Sequence, residues 1–297
     1  MCGIVGFTSY KPEPEKIKNF TNSLSHRGPD QEGYKIIEMG ELFLHLGSAR
    51  LIIRGSEKDS MPMQNGIGNC ITYNGEIYDI NSLKSNISEP IDTSNDTTHL
   101  LDFLTENENK INDINGMFSF AFYNSVKKSL TIGRDRHGVK PIYYSIDKDG
   151  CIVFSSEMYN ILDFCNIKKL SSKDVNNFLL FNGQVKHHNF NKHLKQLKPG
   201  HFLHYTQDKK IKITNYSNLQ NTRNINLEDF ENTMLEVLED HLEADTSVDM
   251  FLSGGVDSSI IAYLTKKKLN KNIRHFSLSF ESDSFDEKSA FDEISTY

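Results

Sequence analysis

The sequence predicts a mixed α+β protein in two parts, from three observations. Over residues 1 to about 215, short apolar runs are separated by Gly, Asn and Asp, which indicates antiparallel sheets with few helices. Around "SNLQNTRNIN" the composition becomes polar, as in a linker. Beyond it, "VDMFLSGGVDSSIIAYLTKKKL" and "RHFSLSF" read as strand, turn, helix and strand, the start of a parallel α/β sheet. We therefore expect domains over residues 1–215 and 216–297.

Two helices are predicted from their spacing and start signals. Leucines recur at helical spacing over residues 96–106, with Asn95 or Asp96 as the cap. A second helix should follow Asn226, whose side chain can cap it, and acidic residues occupy its first turn, where the helix dipole favours negative charge.

Composition excludes several classes of protein. The chain has 297 residues and 37% hydrophobic content, enough for two ordinary cores. A net charge of −7 without a long basic tract argues against nucleic acid held through its phosphates. No apolar segment approaches the roughly 20 residues that cross a membrane. The four cysteines are scattered, without a CxxC pair or a secretory segment, so we expect reduced thiols and a cytoplasmic protein.

Cys2 directly follows the initiator methionine in "MCGIVGFTSY", and two interpretations stay open at this point. Cys2 could be a small apolar residue at the start of a buried strand. Alternatively, removal of Met1 would leave a thiol and a free α-amine on one residue. Their usual pKa values of about 8.5 and about 8 allow either group to exchange a proton near neutral pH. Such a residue is nucleophile and base together.

The segment "SGGVDSS" carries the strongest local signal of the second part. Gly254 and Gly255 let backbone N–H groups approach an anion at a helix start, where neighbouring serines add hydroxyl donors. Asp257 suits a magnesium ion beside phosphate oxygens. A plain glycine turn would explain the glycines but not the serines and the aspartate. The loop lacks the Walker pattern and resembles the pyrophosphate-binding loop of enzymes that adenylate an acid with ATP.

Seven further motifs occur in order behind the N-terminal segment. They are "SHRGPDQEGY", "GSARLIIRG", "TYNGEIYD", "SNDTTHLL", "NGMFSFAFYN", "GRDRHGVKPIYYS" and "FSSEM". Together with "FLSGGVDSS" they resemble glutamine-hydrolysing asparagine synthetases, whose first domain is a class II glutamine amidotransferase. The resemblance implies an N-terminal-nucleophile αββα sandwich, in which Cys2 attacks the side-chain amide of glutamine. It also implies that the Asn74 side chain and the Gly75 N–H form the oxyanion hole.

The same resemblance assigns the glutamine-binding residues. Arg50 would hold the α-carboxylate through two parallel hydrogen bonds. Glu76 and Asp96 would hold the ammonium group, assisted by backbone carbonyls near Ile53 and Arg54. Arg54 stands where the family generally has an apolar residue, which could alter the edge of the pocket if the side chain turns inward.

Each assignment has a plainer alternative. Arg50 could be a surface ion-pair partner, the "NGE" segment an Asn-Gly hairpin turn, and Asp96 only a helix cap. Their co-occurrence with an N-terminal cysteine favours the functional interpretation.

In the second part, the resemblance implies contacts with ATP, which serves as a substrate together with Mg²⁺, and no prosthetic group. Asp257 would be the magnesium ligand. The residues that would contact the nucleotide or its pyrophosphate are Leu252, Ser253, Gly254, Gly255, Asp257, Ser258 and Leu278.

Only residues 260–297 follow Ser259, and a nucleotide-binding α/β domain ordinarily needs about 100 residues or more. We therefore expect a truncated synthetase domain. The primary hypothesis is a glutamine-hydrolysing asparagine synthase that amidates aspartate with ATP. A glutaminase supplying ammonia to another acceptor, and a non-catalytic module binding glutamine or nucleotide, stay as alternatives. Two partner arrangements are consistent with this: a homodimer, or a separate chain that supplies the rest of the synthetase domain.

Overall fold

The computed structural model describes residues 1–56, 59–91, 93, 95–167, 172–182, 193–217, 226–279 and 291–292. Contacts divide the backbone into two units, Met1–Leu219 and Gln220–Tyr297. Most of the predicted linker, residues 218–225, lies outside the described residues. Across the described ranges, no helix combines the length and the apolar character needed to cross a membrane.

The described part of the first unit consists of two six-stranded sheets flanked by short helices. The strands are β1 (Gly3–Ser9), β2 (Gln31–Met39), β3 (Leu42–Arg50), β4 (Met63–Gln64), β5 (Cys70–Ile77), β6 (Gly116–Asn124), β7 (Ser129–Arg134), β8 (Tyr143–Ile146), β9 (Ile152–Ser155), β10 (Leu194–Gln196), β11 (His201–Thr206) and β12 (Ile211–Asn215). The helices are α1 (Pro14–Asn22), α2 (Ile80–Ser85), α3 (Asp96–Asn107), a 3₁₀ turn (Ile111–Asp113), α4 (Met158–Phe164) and α5 (Ser172–Phe181).

Both sheets are antiparallel, as predicted. The first sheet has the strand order β10-β8-β9-β1-β3-β2, and the second β12-β11-β7-β6-β5-β4. β1 therefore lies inside its sheet, with β9 on one side and β3 on the other. This placement explains why all seven of its residues except Ser9 are buried.

Alternation along β1 shows how the layers stack. Ile4 points into an apolar layer between the two sheets, which it shares with Leu46 of β3 and Ala121 of β6. Val5 points the other way, into a layer that includes Ile17 of α1. A third layer lies between α3 and the outer face of the second sheet. Helices, two sheets and helices thus form the expected αββα sandwich.

The predicted helix starts are confirmed. The Asn95 side chain accepts a hydrogen bond from the Thr97 N–H at 3.0 Å, so Asn95, and not Asp96, caps α3. In the second unit, α6 (Leu227–Leu242) begins after Asn226, whose Oδ1 accepts from the Asp229 N–H at 2.8 Å.

The rest of the second unit follows the predicted order of strand, turn, helix and strand. β13 (Asp249–Phe251) leads through a turn into α7 (Val256–Tyr263), which continues as a π-helical turn (Leu264–Lys268). β14 (Arg274–Phe276) then pairs with β13 in parallel. Gly254 has φ +84° in the turn, a left-handed conformation that favours glycine over other residues.

Candidate active site

A cleft at the N-terminal end of β1 brings together every residue of the predicted glutamine site. It encloses about 50 Å³, and Met1 lies on its wall, so removal of Met1 would enlarge it. The predicted residues that line it are Cys2, Arg50, Ile53, Arg54, Asn74, Gly75, Glu76 and Asp96. Cys2 precedes β1, and the others come from the end of β3, the following loop, β5 and the first turn of α3, elements that are far apart in sequence.

The backbone of Cys2 is held by a residue that the sequence analysis did not single out. Arg27 Nε donates to the Cys2 carbonyl oxygen at 3.0 Å, and Arg27 Nη1 donates to Glu157 Oε1 at 3.1 Å. His26 Nε2 lies 2.9 Å from the same Glu157 oxygen. The "HRG" and "SSE" segments were the available signal, since they hold these residues. Together they fix the position of Cys2 from outside β1.

The Cys2 thiol donates a hydrogen bond to the Leu51 carbonyl oxygen, which lies 3.5 Å from Sγ. Burial is the largest influence on this thiol, and it raises the pKa. Burial also lowers the pKa of the α-amine of Met1 below its usual value. The lowered pKa leaves more of this amine unprotonated near neutral pH, and the unprotonated amine is the form that can accept a proton.

Asn74 and Gly75 lie within β5, so the alternative of an Asn-Gly hairpin turn is wrong. The backbone N–H and C=O of Phe118, which pairs with Gly75, are both hydrogen-bonded to Asp135 on the far side of β6. Gly75 and Phe118 therefore form a non-hydrogen-bonded pair, and the N–H of Gly75 faces away from β6. The Ile77 N–H, two residues on, confirms this direction, because it donates to Asp96 Oδ2 at 3.2 Å.

Asn74 supplies a second donor. It is 1% exposed and lines the cleft, yet its Nδ2 has no hydrogen-bond partner in the part of the chain that the structure describes. A buried amide without a partner is costly, so it points to a group that is bound transiently. A side chain at position 75 is excluded, because a Cβ there would lie 2.3 Å from the Met117 carbonyl oxygen.

Arg50 is 7% exposed, which contradicts the alternative of a surface ion pair. Its Nη1 donates to the carbonyl oxygens of Ser56 and Asp59 at 2.9 and 2.6 Å, and its Nη2 donates to that of Arg54 at 3.0 Å. The guanidinium thus holds the loop that follows β3. Its binding of a substrate carboxylate stays a prediction.

Asp96 is not the cap of α3. Its Oδ2 accepts hydrogen bonds from the Tyr73 hydroxyl at 2.9 Å and from the Ile77 N–H at 3.2 Å. Burial raises the pKa of Asp96, and these two hydrogen bonds oppose the rise. The carboxylate is thereby fixed at the wall of the cleft.

Arg54 turns inward, as the sequence analysis considered. Its Nε lies 3.1 Å from Glu76 Oε2, and the two side chains are 6% and 14% exposed. Ile53 lines the same cleft.

Lys140, to which the sequence analysis gave no role, also lines the cleft and is buried. Burial lowers the pKa of Lys140, although the nearby Cys2 and Glu76 raise it in part.

The predicted nucleotide residues surround the β13–α7 turn. Ser253 Oγ accepts from the Gly255 N–H at 3.3 Å and lies 3.2 Å from Ser258 Oγ, so the hydroxyls and backbone gather at the helix start. Leu252 is buried, and its N–H donates to the Phe276 carbonyl oxygen at 2.8 Å. Leu278 follows β14 and is exposed.

Asp257 is exposed in the first turn of α7. Among the described residues, no group of three or more His, Cys, Asp or Glu side chains could hold a metal ion by itself. One carboxylate is nevertheless sufficient for a magnesium ion that is bound chiefly by phosphate oxygens of a nucleotide. The residues present fit that mode, and the magnesium site stays a prediction.

Residues 1–217 match the family described as "Glutamine amidotransferase domain". The chain belongs to this family. Residues 229–297 match the family described as "Asparagine synthase". Relatives include glutamine-hydrolysing asparagine synthetase 1 of Bacillus subtilis, 27% identical over 97% of this chain, and asparagine synthetase B of Escherichia coli, 28% identical over 90%. This chain covers 47% and 45% of those two proteins, so it spans about half their length.

A solved structure shows the same fold. The glutamine phosphoribosylpyrophosphate amidotransferase of B. subtilis, complexed with ADP and GMP, is 16% identical, with a TM-score of 0.52 over 96% of this chain and 68% of that one. At this identity the likeness concerns the fold alone, and it agrees with the αββα architecture of the first unit.

Glu157→Gln should lower the free energy of unfolding at pH 7 by on the order of 1 kcal/mol, because the charge-assisted hydrogen bonds to Arg27 and His26 weaken. Desolvation raises the pKa of Glu157, but His26 and Arg27 outweigh it and leave the pKa below its usual value. The native state thus favours the carboxylate, and its contribution is present above the unfolded pKa of about 4.3 and is lost as pH falls through the folded value.

Urea titrations at pH 7 and pH 3 measure this difference. It should be nearly absent at pH 3, and Glu41→Gln, in the exposed β2–β3 turn, should show little change at either pH. An equal loss for Glu157→Gln at both pH values would contradict the assignment.

Proposed function

We propose that the first unit hydrolyses glutamine to glutamate and ammonia at Cys2. The observation that carries the proposal is the unpartnered, buried Asn74 amide in the cleft that also holds Cys2 and Gly75. Asn74 Nδ2 and the Gly75 N–H are two neutral donors at the edge of one strand, and they suit the oxyanion of a tetrahedral intermediate. The family match and the similarity to named asparagine synthetases support the same reaction.

In the proposed mechanism, removal of Met1 leaves the α-amine on Cys2. The amine accepts the thiol proton, and the sulfur attacks the amide carbon of glutamine. Collapse of the tetrahedral intermediate breaks the C–N bond, the protonated α-amine of Cys2 gives its proton to the leaving nitrogen, and ammonia leaves. Water then gives a proton to the α-amine and attacks the carbonyl carbon of the thioester. The C–S bond breaks, glutamate leaves, and the protonated α-amine returns its proton to the sulfur. The α-amine and the thiol then belong to one residue, so the proposed base lies directly beside the proposed nucleophile.

For the substrate, we propose that Arg50 binds the α-carboxylate, since a guanidinium can donate two parallel hydrogen bonds to it. Glu76 and Asp96 are the carboxylates proposed for the ammonium group, with the carbonyls of Ile53 and Arg54 beside them. These residues line one cleft with Cys2, so one ligand can reach the proposed nucleophile and both charged ends.

For the second unit, we propose that the β13–α7 turn binds the pyrophosphate of ATP and that the ammonia amidates an aspartyl-adenylate. The N–H groups at the start of α7, the Gly254 turn and the hydroxyls of Ser253 and Ser258 provide anion donors. The ATP-bound Mg²⁺ would be held by Asp257 and would neutralise phosphate charge. Aspartate as acceptor rests on the named relatives, which this chain covers in part. We propose a domain boundary near residues 215–219, where contacts divide the chain.

Cys2→Ala should abolish glutamine hydrolysis, because no thioester can form. The measurement is glutamate release by purified protein, with intact mass spectrometry to establish loss of Met1. Cys165→Ala is the matched control, since Cys165 is exposed and lies outside the cleft. Equal rates for wild type and Cys2→Ala would refute the proposed nucleophile.

Asn74→Ala should lower kcat for glutamine hydrolysis by about 10²–10³ with little change in KM, because the lost hydrogen bond forms mainly in the transition state. Asn86→Ala, an exposed residue after α2, should leave both constants unchanged. A raised KM with unchanged kcat would assign Asn74 to ground-state binding instead.

The complete synthetase reaction has its own test. With aspartate, ATP and Mg²⁺, Cys2→Ala protein should form asparagine from added ammonium but not from glutamine, because only the ammonia supply needs the thiol. Asparagine and AMP are measured by chromatography. If wild-type protein hydrolyses glutamine but forms no asparagine from either nitrogen source, the chain acts as a glutaminase without synthetase activity.

A further inference from the structure

The cleft proposed for glutamine carries an unusual balance of charge for a site that binds an amino acid. Among the described residues that line it, Arg50, Arg54 and Lys140 bring cationic side chains, and Glu76 and Asp96 bring carboxylates. A zwitterionic ligand needs one cationic and one anionic end of the site. In this chain a cation of the protein lies at the anionic end.

That cation is Arg54. Its Nε lies 3.1 Å from Glu76 Oε2, with both side chains almost fully removed from solvent. Exposed ion pairs contribute little, whereas removing one partner of a largely desolvated pair leaves the other charge uncompensated. The position of Arg54 is further fixed through its backbone, because its carbonyl oxygen accepts a hydrogen bond from Arg50 Nη2 at 3.0 Å.

The other carboxylate, Asp96, is already engaged by donors of the protein. Asp96 Oδ2 already accepts hydrogen bonds from Tyr73 and Ile77, and its Oδ1 lies 3.4 Å from Thr97 Oγ1. Burial raises the pKa of Asp96, which weakens it further as a partner for a cation. Glu76 is the second carboxylate proposed for the ammonium group, and it is the one beside which the Arg54 guanidinium lies.

We propose that Arg54 is a specificity-determining residue, whose guanidinium occupies the place beside Glu76 that the α-ammonium group of an amino acid would take. The inference rests on the proposed glutamine site. Glutamine must displace Arg54 or bind with its ammonium group beside another cation, and both lower its affinity. A primary amide with the same carboxylate but no ammonium group, such as glutaramate (5-amino-5-oxopentanoate), meets neither penalty. The cleft thus favours amides of simple dicarboxylic acids relative to glutamine.

The experiment measures binding of L-glutamine and of glutaramate to Cys2→Ala protein by calorimetry at pH 7.5, so that no turnover occurs. Glutaramate should bind at least as tightly as glutamine. In Cys2→Ala/Arg54→Leu, glutamine should bind tighter by about tenfold or more, because the competing cation is gone, while glutaramate should gain nothing. Lys148→Leu removes one positive charge from an exposed turn and should change neither affinity.

Two results would overturn the inference alone. The first is that wild type hydrolyses glutamine and that glutamine binds more than about tenfold tighter than glutaramate. The second is that the affinities for both ligands rise equally in the Arg54→Leu protein. These comparisons differ from a failure of the proposed function, which would appear as no hydrolysis by wild type and no binding of either ligand to any variant, and would overturn both. Circular dichroism establishes that Arg54→Leu folds. If it does not, the ratio of the two affinities in Cys2→Ala decides by itself.

Discussion

β1 is paired along both edges, with seven residues opposite β3 and three opposite β9. Chain termini ordinarily fray, because few contacts hold them. Here the first strand lies inside a sheet, and its Ile4 and Val5 point into two different apolar layers. Cys2 stands one residue before this strand, and Arg27 holds its carbonyl oxygen. Any function of the chain terminus as a reactive group depends on this double pairing, since it fixes the thiol against the cleft wall.

The opposite wall of the cleft belongs to the other sheet, so the geometry also depends on how the sheets pack. β3, the neighbour of β1, reaches β5 of the second sheet through a hydrogen bond from Thr72 Oγ1 to the Gly47 carbonyl oxygen at 3.1 Å. Asn74 and Gly75 follow two and three residues later on β5. The distance between the thiol and the proposed oxyanion donors is thus set by buried contacts between strands, which change little once the core is packed. The loop after β3 is held in turn by Arg50.

Local patterns predicted the parts of the fold that local physics determines. The caps of α3 and α6 and the strand–turn–helix order around Gly254 are short-range features, and the structure confirms them. The Asn-Gly pair of β5 also fits a hairpin turn locally, and only its pairing with β6 decides the matter.

Pattern reasoning could not supply the partners of single charged side chains. Arg27 and Glu157 are 130 positions apart, and the sequence near either residue does not predict that the two form a pair. The resemblance predicted that Arg54 lies at the edge of the site. It did not predict the orientation of the side chain, because that depends on which charged groups lie nearby. Glu76 lies on β5, which the sequence alone does not place opposite Arg54. Lys140 was missed for the same reason, since its burial beside Cys2 arises from the meeting of distant segments.

One edge of β5 links the proposed chemistry to the proposed recognition of substrate. The N–H of Gly75 and the N–H of Ile77 point to the same side, because alternate residues of a strand share a direction. The first is a proposed oxyanion donor, and the second donates to Asp96, which it holds at the cleft wall. Two residues of a strand span about 7 Å. The same strand would therefore position both the reacting amide and the ammonium end of a bound ligand. Arg54 contacts this same strand at Glu76, between the two donors. A shift of Arg54 therefore changes charge at one end of the ligand without moving the donors at the other, which is why binding and catalysis can respond separately to this residue.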